Sequence, residues 1–336
     1  MFPREDFIIE YFHRKGMKTL AAALVLFLCT AAGAQDKSLT LYTSLAPTES
    51  GPLAQAFEKK TGIKVELWRA ISEKVVQRAL TEARARRFAV DVIETNGPEM
   101  EMMARENLFV ALDSPYLADL PAGVVPKHRM WIPDRMNFFV VAYNTAKVRR
   151  DELPKDYLGF LDPKWKGRIG LEATDAEWMA TLVKKWGTEA GMAHFRKLSE
   201  MRPDVRKGHV LLAELIAAGE IPVGLTVYNA NAESLKRKGA PIDWVPVQPV
   251  VARPQGIAVA RNAPNPKAAL AFVDFVLSPG GQELLMSMGR VPASTKVRTH
   301  LNDFDYTVID PVTVLDEQDK WNRLWESLFI RAEAKR

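Results

Sequence analysis

Apolar and polar positions change period repeatedly between Leu39 and Asn96. Leu39–Thr43 alternates with a period of two, and Pro52–Lys60 then puts Leu53, Phe57 and the alanines between them on one helical face. Thr61-Gly62 ends that helix. Ile63–Trp68 alternates again, Ser72 is placed to cap a helix over Glu73–Arg86, and Ala89–Ile93 is a third short apolar run. Strands separated by helices of this length predict parallel βαβ units with right-handed crossovers. Ligands of such sheets sit beyond the carboxyl ends of the strands, so Ser44–Thr48, Arg69–Ser72 and Glu94–Asn96 are expected to share one crevice edge. Each loop is polar and leads into a helix N-terminus. That suits a small polar or anionic ligand better than a phosphate chain, since no glycine-rich fingerprint is present.

Downstream, a helix over Glu99–Asn107 buries Met100, Met103 and Ala104, and its methionines read as core filling. Leu108–Arg129 is loop-like. Met136–Tyr143 is apolar on both faces, which places it in the middle of a sheet or between two sheets. Helices are expected over Glu177–Trp186, Thr188–Met201 and Gly208–Ala218, and a strand over Ile221–Tyr228 delivers Tyr228, Asn229 and Asn231 to a loop. Ala232–Lys238 is helical, Ile242–Val251 and Gly256–Ala260 are extended, and Lys267–Leu277, Ser278–Met288 and Trp321–Glu333 are helical. The fold class is α/β in two lobes, residues 35–133 with 250–290 and residues 134–249 with 291–336. Two extended crossings make a hinge with an interlobe cleft, a construction suited to closure on a ligand.

Residues 1–34 stand apart as an N-terminal extension and signal peptide. Lys18 precedes the apolar run Leu20–Leu28, and Ala32-Gly-Ala34 is a small-x-small cleavage signature. The charged stretch Met1–Gly16 precedes the signal, and Met17-Lys18 is the more conventional start. Nothing later approaches the roughly 18 apolar residues of a spanning helix. Cys29, the single cysteine, lies inside the signal, so the exported chain carries no thiol, disulfide or acyl anchor. Cleavage removes four cations and three anions and lowers the net charge from +5 to +4. Basic and aromatic residues are not interleaved, and Ala83–Arg87 and Lys236–Lys238 read as solvated helix ends, so nucleic acid is not an expected partner.

Leu41-Tyr-Thr-Ser44, Ala56–Val65, Val90–Thr95, Val141–Thr145, Leu161–Ile169, Ala217–Glu220, Ala263–Ala269 and Phe275–Ser278 with Gly281-Gln282 together resemble the extracellular solute-binding proteins of ABC importers, most of all their ferric-iron, phosphonate and polyamine-type group. The resemblance runs in order through nearly the whole exported chain. It implies a two-lobed type II periplasmic-binding-protein fold, a monomer in the periplasm without cofactor, a small-molecule ligand in the cleft, and a membrane permease with its ATPase as partner. Ferric binders of this group offer a histidine or tyrosine after the first strand and adjacent tyrosines in the second lobe. Here Ser44-Leu-Ala-Pro-Thr48 has no histidine and Val227-Tyr-Asn229 a single tyrosine. An organic anion, carboxylate or phosphonate, is therefore the expected ligand. The alternative is Fe(III), with Glu94, Asp175 and Tyr228 as its donors.

The candidate ligand-binding residues are Ser44, Thr48, Glu94, Thr95, Asn96, Arg135, Asn137, Thr174, Asp175, Tyr228 and Asn229. Ser44, Thr48, Thr95 and Asn96 are either ligand donors at strand ends or turn formers and caps. Arg135 is either a guanidinium for carboxylate or phosphonate or a surface arginine before a strand. Thr174 and Asp175 head a helix, so capping comes first and anion contact second. Tyr228 and Asn229 end a strand facing the cleft, and Glu94 either contributes to the site or pairs with a cation such as Arg69. His128, His194, His209 and His300 are scattered without ligand spacing, so neither a zinc site nor a catalytic histidine is expected. No Gly-x-Ser-x-Gly, His-Glu-x-x-His, P-loop or dinucleotide motif occurs, which leaves a secreted enzyme working through carboxylates, or a protein feeding a sensor, as the rival classes.

Overall fold

The computed structural model describes residues 37–121 and 123–331, so the expected signal segment and cleavage signature lie outside the described residues. The chain divides into Met1–Lys37 and Ser38–Arg336, and the fold below is that of the second unit. It begins with β1 (Ser38–Thr43), α1 (Pro47–Thr61), β2 (Lys64–Arg69), α2 (Ser72–Arg84), β3 (Val92–Asn96) and α3 (Gly97–Arg105). β1 pairs in parallel with both β2 and β3, as the alternating periods predict. α1 stops where Gly62 turns left-handed at φ 75° and returns its N–H to the Glu58 carbonyl. Ser72 is the first residue of α2 rather than its cap: Ile71 holds the cap position without a side-chain bond.

β4 (Ile132–Asn144) follows, thirteen residues all buried, as its two apolar faces require. Then come β5 (Ile169–Glu172), α4 (Ala176–Trp186), α5 (Thr188–Glu200), β6 (Asp204–Arg206), α6 (His209–Ala218), β7 (Val223–Tyr228) and α7 (Asn229–Arg237). Tyr228 itself caps α7, so Asn229 and Asn231 stand in its first turn and not in the expected loop. The chain ends with β8 (Ile242–Val245), β9 (Val250–Val259), α8 (Pro266–Leu277), α9 (Pro279–Ser287), β10 (Val291–Pro292), β11 (Tyr306–Val308), α10 (Pro311–Asp316), α11 (Gln318–Trp325) and a π-helical turn over Glu326–Ile330.

The strands form one sheet in the order β2-β1-β3-β9-β4-β7-β5-β6. β9 is antiparallel to β3 and β4, and β4 is antiparallel to β7, so the β4–β9 pair is the seam between two parallel groups. β9 runs unbroken through Pro254 and Gly256, where the sequence reads as a break. Gly256 is needed there because a Cβ would stand 2.5 Å from Cε3 of Trp131.

Four apolar clusters pack on this sheet. Leu41, Val92, Ile257 and Phe272 lie in one and Tyr42, Met100, Met103 and Trp131 in another, on the side of the first three strands. Val141, Leu171, Trp178 and Trp325 form the third, with Leu212, Ile216 and Val227 in the fourth. Strand alternation splits β4 between them: Phe138 and Val140 join the first cluster, Phe139 and Val141 the third. Val291, Ala293 and Leu301 pack in the first cluster, although residues 291–336 were expected in the second lobe; Trp321, Trp325 and Phe329 do pack there. Trp131, Trp165 and Trp178 are fully enclosed, and removing their large apolar rings from water stabilises the fold. Among the described residues no helix is long and apolar enough to cross a membrane.

Candidate functional site

A cleft of about 1040 Å³ opens between the two strand groups. Its first wall is built from the segments after β1, β2 and β3, with Ser44, Arg69, Ser72, Asn96 and Glu99 lining it, so the three loops do share one edge. Its second wall carries Glu172 at the end of β5 and Thr174 after it, Glu177 in α4, Lys207 and His209 at the start of α6, and Tyr228 at the end of β7. The floor belongs to the seam. Arg135 stands opposite Gln255 and Asn137 opposite Arg253 across β4 and β9, and all four side chains line the cleft. Residues two apart on a strand share a face, which is why one pair of strands presents both arginines to the same space.

Each arginine is held by buried carboxylates. Nη1 of Arg135 donates to Glu94 (2.5 Å) and to Asp134 (2.9 Å), and Glu94 also accepts a short hydrogen bond from the Thr43 hydroxyl. Burial works against the charge of Arg135, but Glu94 and Asp134 outweigh it and hold the guanidinium more firmly protonated than usual. Burial pushes the Asp134 carboxyl up to about 7, against the pull of Arg135. Arg253 donates through Nε to Glu177 and through Nη1 to the Tyr228 hydroxyl, while its Nη2 lies 3.5 Å from Asp175. Burial drives the Tyr228 phenol well above its ordinary range despite Arg253 beside it. Tyr228 also stacks on the His209 imidazole, with ring centroids 3.7 Å apart.

Of the eleven candidates, Ser44, Asn96, Arg135, Asn137, Thr174 and Tyr228 reach the cleft. Asn96 donates to Ser72 and Glu99, and Thr174 donates its hydroxyl to Glu172, whereas the Asn137 amide makes no side-chain hydrogen bond among the described residues. The other five do not line it. Thr48 is exposed in the first turn of α1, and Glu94 is committed to Arg135 rather than to Arg69, whose Nε donates to the Leu45 carbonyl. Thr95 is buried with an unpartnered hydroxyl. Asp175 sits at the α4 cap position without making a capping bond, fully buried behind the wall. Asn229 is buried too, its amide donating to the Leu301 carbonyl at 2.6 Å. The donors named for iron do not assemble, because Glu94 belongs to the Arg135 network and Tyr228 and Asp175 to the Arg253 network.

Arg253, Gln255, Glu177 and His209 are cleft residues that the sequence reading passes over. The first two were hidden by Pro254 and Gly256, which read as a strand break. A signal was present in the single arginine at the end of the apolar run Val250-Val-Ala252. His209 was set aside as a scattered histidine, yet the fold brings it to Glu172 and Asp175 as a group of possible metal donors.

Residues 52–306 match the family model described as bacterial extracellular solute-binding protein. A Fe(3+)-binding periplasmic protein of Serratia marcescens is 24% identical over 315 residues, which cover 87% of this chain and 90% of that one. Iron-bound HitA from Pseudomonas aeruginosa superposes with a TM-score of 0.75 at 22% identity, over 86% of this chain and 99% of its own. The periplasmic binding protein AfuA from Actinobacillus pleuropneumoniae, with fructose-6-phosphate bound, gives 0.75 at 21%, over 87% and 99%. At these identities the structural likeness is one of fold, and it is the two-lobed binding-protein fold that the sequence leads one to expect.

Proposed function

The chain belongs to the bacterial extracellular solute-binding proteins, and we propose that it captures a small organic anion, a carboxylate or phosphonate, in the periplasm and hands it to an ATPase-driven permease. The observation that carries this reading is the floor of the cleft, where Arg135 and Arg253 flank Asn137 and Gln255. Guanidinium groups fixed in a partly dehydrated crevice bind carboxylate and phosphonate oxygens through charge-assisted, geometrically matched hydrogen bonds. The N-termini of α2, α3, α4 and α6 contribute residues to the same space and favour negative charge. A solute touching both walls binds the closed form better than the open one and shifts their balance by that difference. In this reading the lobes divide as residues 35–133 with 250–290 against 134–249, and α10 and α11 complete one side of the cleft. The chain acts as a monomer that binds without chemistry.

Several relatives are named for iron, the Serratia marcescens protein and HitA among them, which makes Fe(III) the second reading. Against it, the Tyr228 hydroxyl is engaged by Arg253 and burial raises its phenol well above the ordinary range, which disfavours the phenolate that Fe(III) takes. Native mass spectrometry of freshly purified protein with trace-metal analysis separates the two. The organic reading expects a co-purifying anion, no stoichiometric iron, and no visible charge-transfer band on addition of ferric citrate. A strong band that disappears in Tyr228→Phe would replace it with the iron reading.

A further inference from the structure

We propose that Glu172, Asp175 and His209 form a site for a borderline divalent metal ion of the zinc type on the second wall of the cleft. Glu172 ends β5, Asp175 precedes α4 and His209 opens α6, and their ligating atoms all lie within 4.8 Å of one another. Nε2 of His209 is 3.3 Å from Oδ1 of Asp175. Donors that share one ion at about 2.0–2.2 Å stand roughly 3–4 Å apart, so the histidine–aspartate edge already has coordination length. One imidazole with two carboxylates is a donor set suited to Zn(II) or its neighbours rather than to magnesium or calcium.

A second observation points to a ligand. Asp175 is fully buried, and neither its oxygens nor Nε2 of His209 has a partner of good hydrogen-bond geometry: Oδ1 has only Nε2 at 3.3 Å and Nη2 of Arg253 at 3.5 Å beside it. Nδ1 of His209 lies 3.2 Å from the Thr226 carbonyl, a contact that calls for an Nδ1–H donor and leaves a lone pair on Nε2. In the neutral imidazole Nε2 then faces the Asp175 carboxylate as a second acceptor, an arrangement that a shared metal ion satisfies. A backbone carbonyl on the far nitrogen is also the support that metal-bound histidines use. Glu172 is held by its neighbours: Oε2 accepts from the Thr174 N–H and hydroxyl, while Oε1 accepts from the Gly208 N–H and keeps a lone pair for a metal.

The charge balance agrees. Glu172, Asp175 and Glu177 place three carboxylates on this wall against two cations, Arg253 and Lys207. Acidic groups outnumber cations here, which suits a metal cation. Glu172 and His209 line the cleft while Asp175 lies behind them, so an ion reaches the site from the cleft. The site does not depend on which solute is carried.

The test uses tag-free exported protein stripped with EDTA and titrated with ZnCl2 alone by calorimetry, with Co(II) absorption as a coordination probe. Wild type is expected to bind one equivalent of Zn(II), to develop cobalt d–d bands, and to shift the ring resonances of His209 but not those of His128, His194 or His300. Asp175→Asn and His209→Gln should each weaken Zn(II) at least tenfold, and His300→Gln should leave it unchanged. Absence of stoichiometric binding overturns the proposal, as does binding that leaves the His209 resonances unmoved. So does an Nε2 proton on His209 that persists to pH 8 in the presence of Zn(II), since the pair is then an imidazolium–carboxylate bridge. The resonance test needs no variant and stands even where a substitution unfolds the protein. Loss of the organic-anion reading would leave these results untouched.

Discussion

Asn137 on β4 and Arg253 on β9 are register partners across the antiparallel seam, and both line the cleft. Arg253 is tied to Glu177 of α4, while Arg135, two residues before Asn137, is tied to Glu94 of β3. The two cations of the floor are thus anchored to opposite walls, and the strands that join the lobes also carry the groups expected to hold the ligand.

Removing Arg253 leaves Glu177 and Asp175 buried without their guanidinium. Arg253→Ala should cost on the order of 3–5 kcal/mol of stability, as when one partner of a buried ion pair is deleted. Arg253→Lys should recover only part, since a point cation cannot serve Glu177 and the Tyr228 hydroxyl together. Urea unfolding of the three proteins checks this, and an unchanged midpoint in Arg253→Ala would contradict it.

His194 gives a pH signature. It is buried beside Trp186 and Phe195 with neither ring nitrogen partnered, and burial pushes its pKa from 6.5 down to about 4. The unfolded chain takes up a proton below pH 6.5 that the folded chain refuses until about 4. Stability from this residue is therefore complete above 6.5 and lost as pH falls towards 4, by on the order of 2–3 kcal/mol. Asp134, raised to about 7, acts in the opposite sense over much the same range. The difference between wild type and His194→Leu therefore carries the test. Melting curves from pH 7.5 to 4.5 should fall less steeply in the variant, and parallel curves would contradict the assignment.

Asn229 reads as a ligand residue in the sequence and as a tie between α7 and Leu301 in the structure. Asn229→Ala leaves the buried Leu301 carbonyl unpaired and should cost about 1–3 kcal/mol while leaving solute affinity unchanged. Calorimetry showing a tenfold loss of affinity in a fully stable variant would return Asn229 to the site.

Period and polarity made the first strand–helix–strand–helix–strand run, the buried β4 and most helices legible, because each buries one continuous face. The loops after β1, β2 and β3 were placed on one edge for the same reason. Inward or outward orientation at strand ends was not legible: Glu94 and Thr95 turn into the protein while Ser44 and Asn96 face the cleft. Pro254 and Gly256 concealed a continuous strand, since sequence shows their local preferences and not the Trp131 ring that Gly256 accommodates. The His209–Asp175 proximity joins residues 34 positions apart through two βα connections, and no local spacing marks it.

Residues 1–34 lie outside the described structure, and their reading as a cleaved export signal is tested directly on the exported protein. N-terminal sequencing should begin at or near Gln35, and an intact Met1 or Met17 in the soluble functional form would contradict it.

The central claim, that a small anion is bound on the floor between the lobes, is tested most directly at Asn137. Its amide lines the cleft and makes no side-chain bond among the described residues, so its removal leaves the fold intact. The measurement is calorimetric affinity of the co-purified solute for wild type and Asn137→Ala. A hydrogen bond to a charged ligand group contributes about 1.5–3 kcal/mol, so affinity should fall roughly ten- to hundredfold with the melting temperature of the unliganded protein unchanged. Binding within about twofold of wild type would contradict the claim.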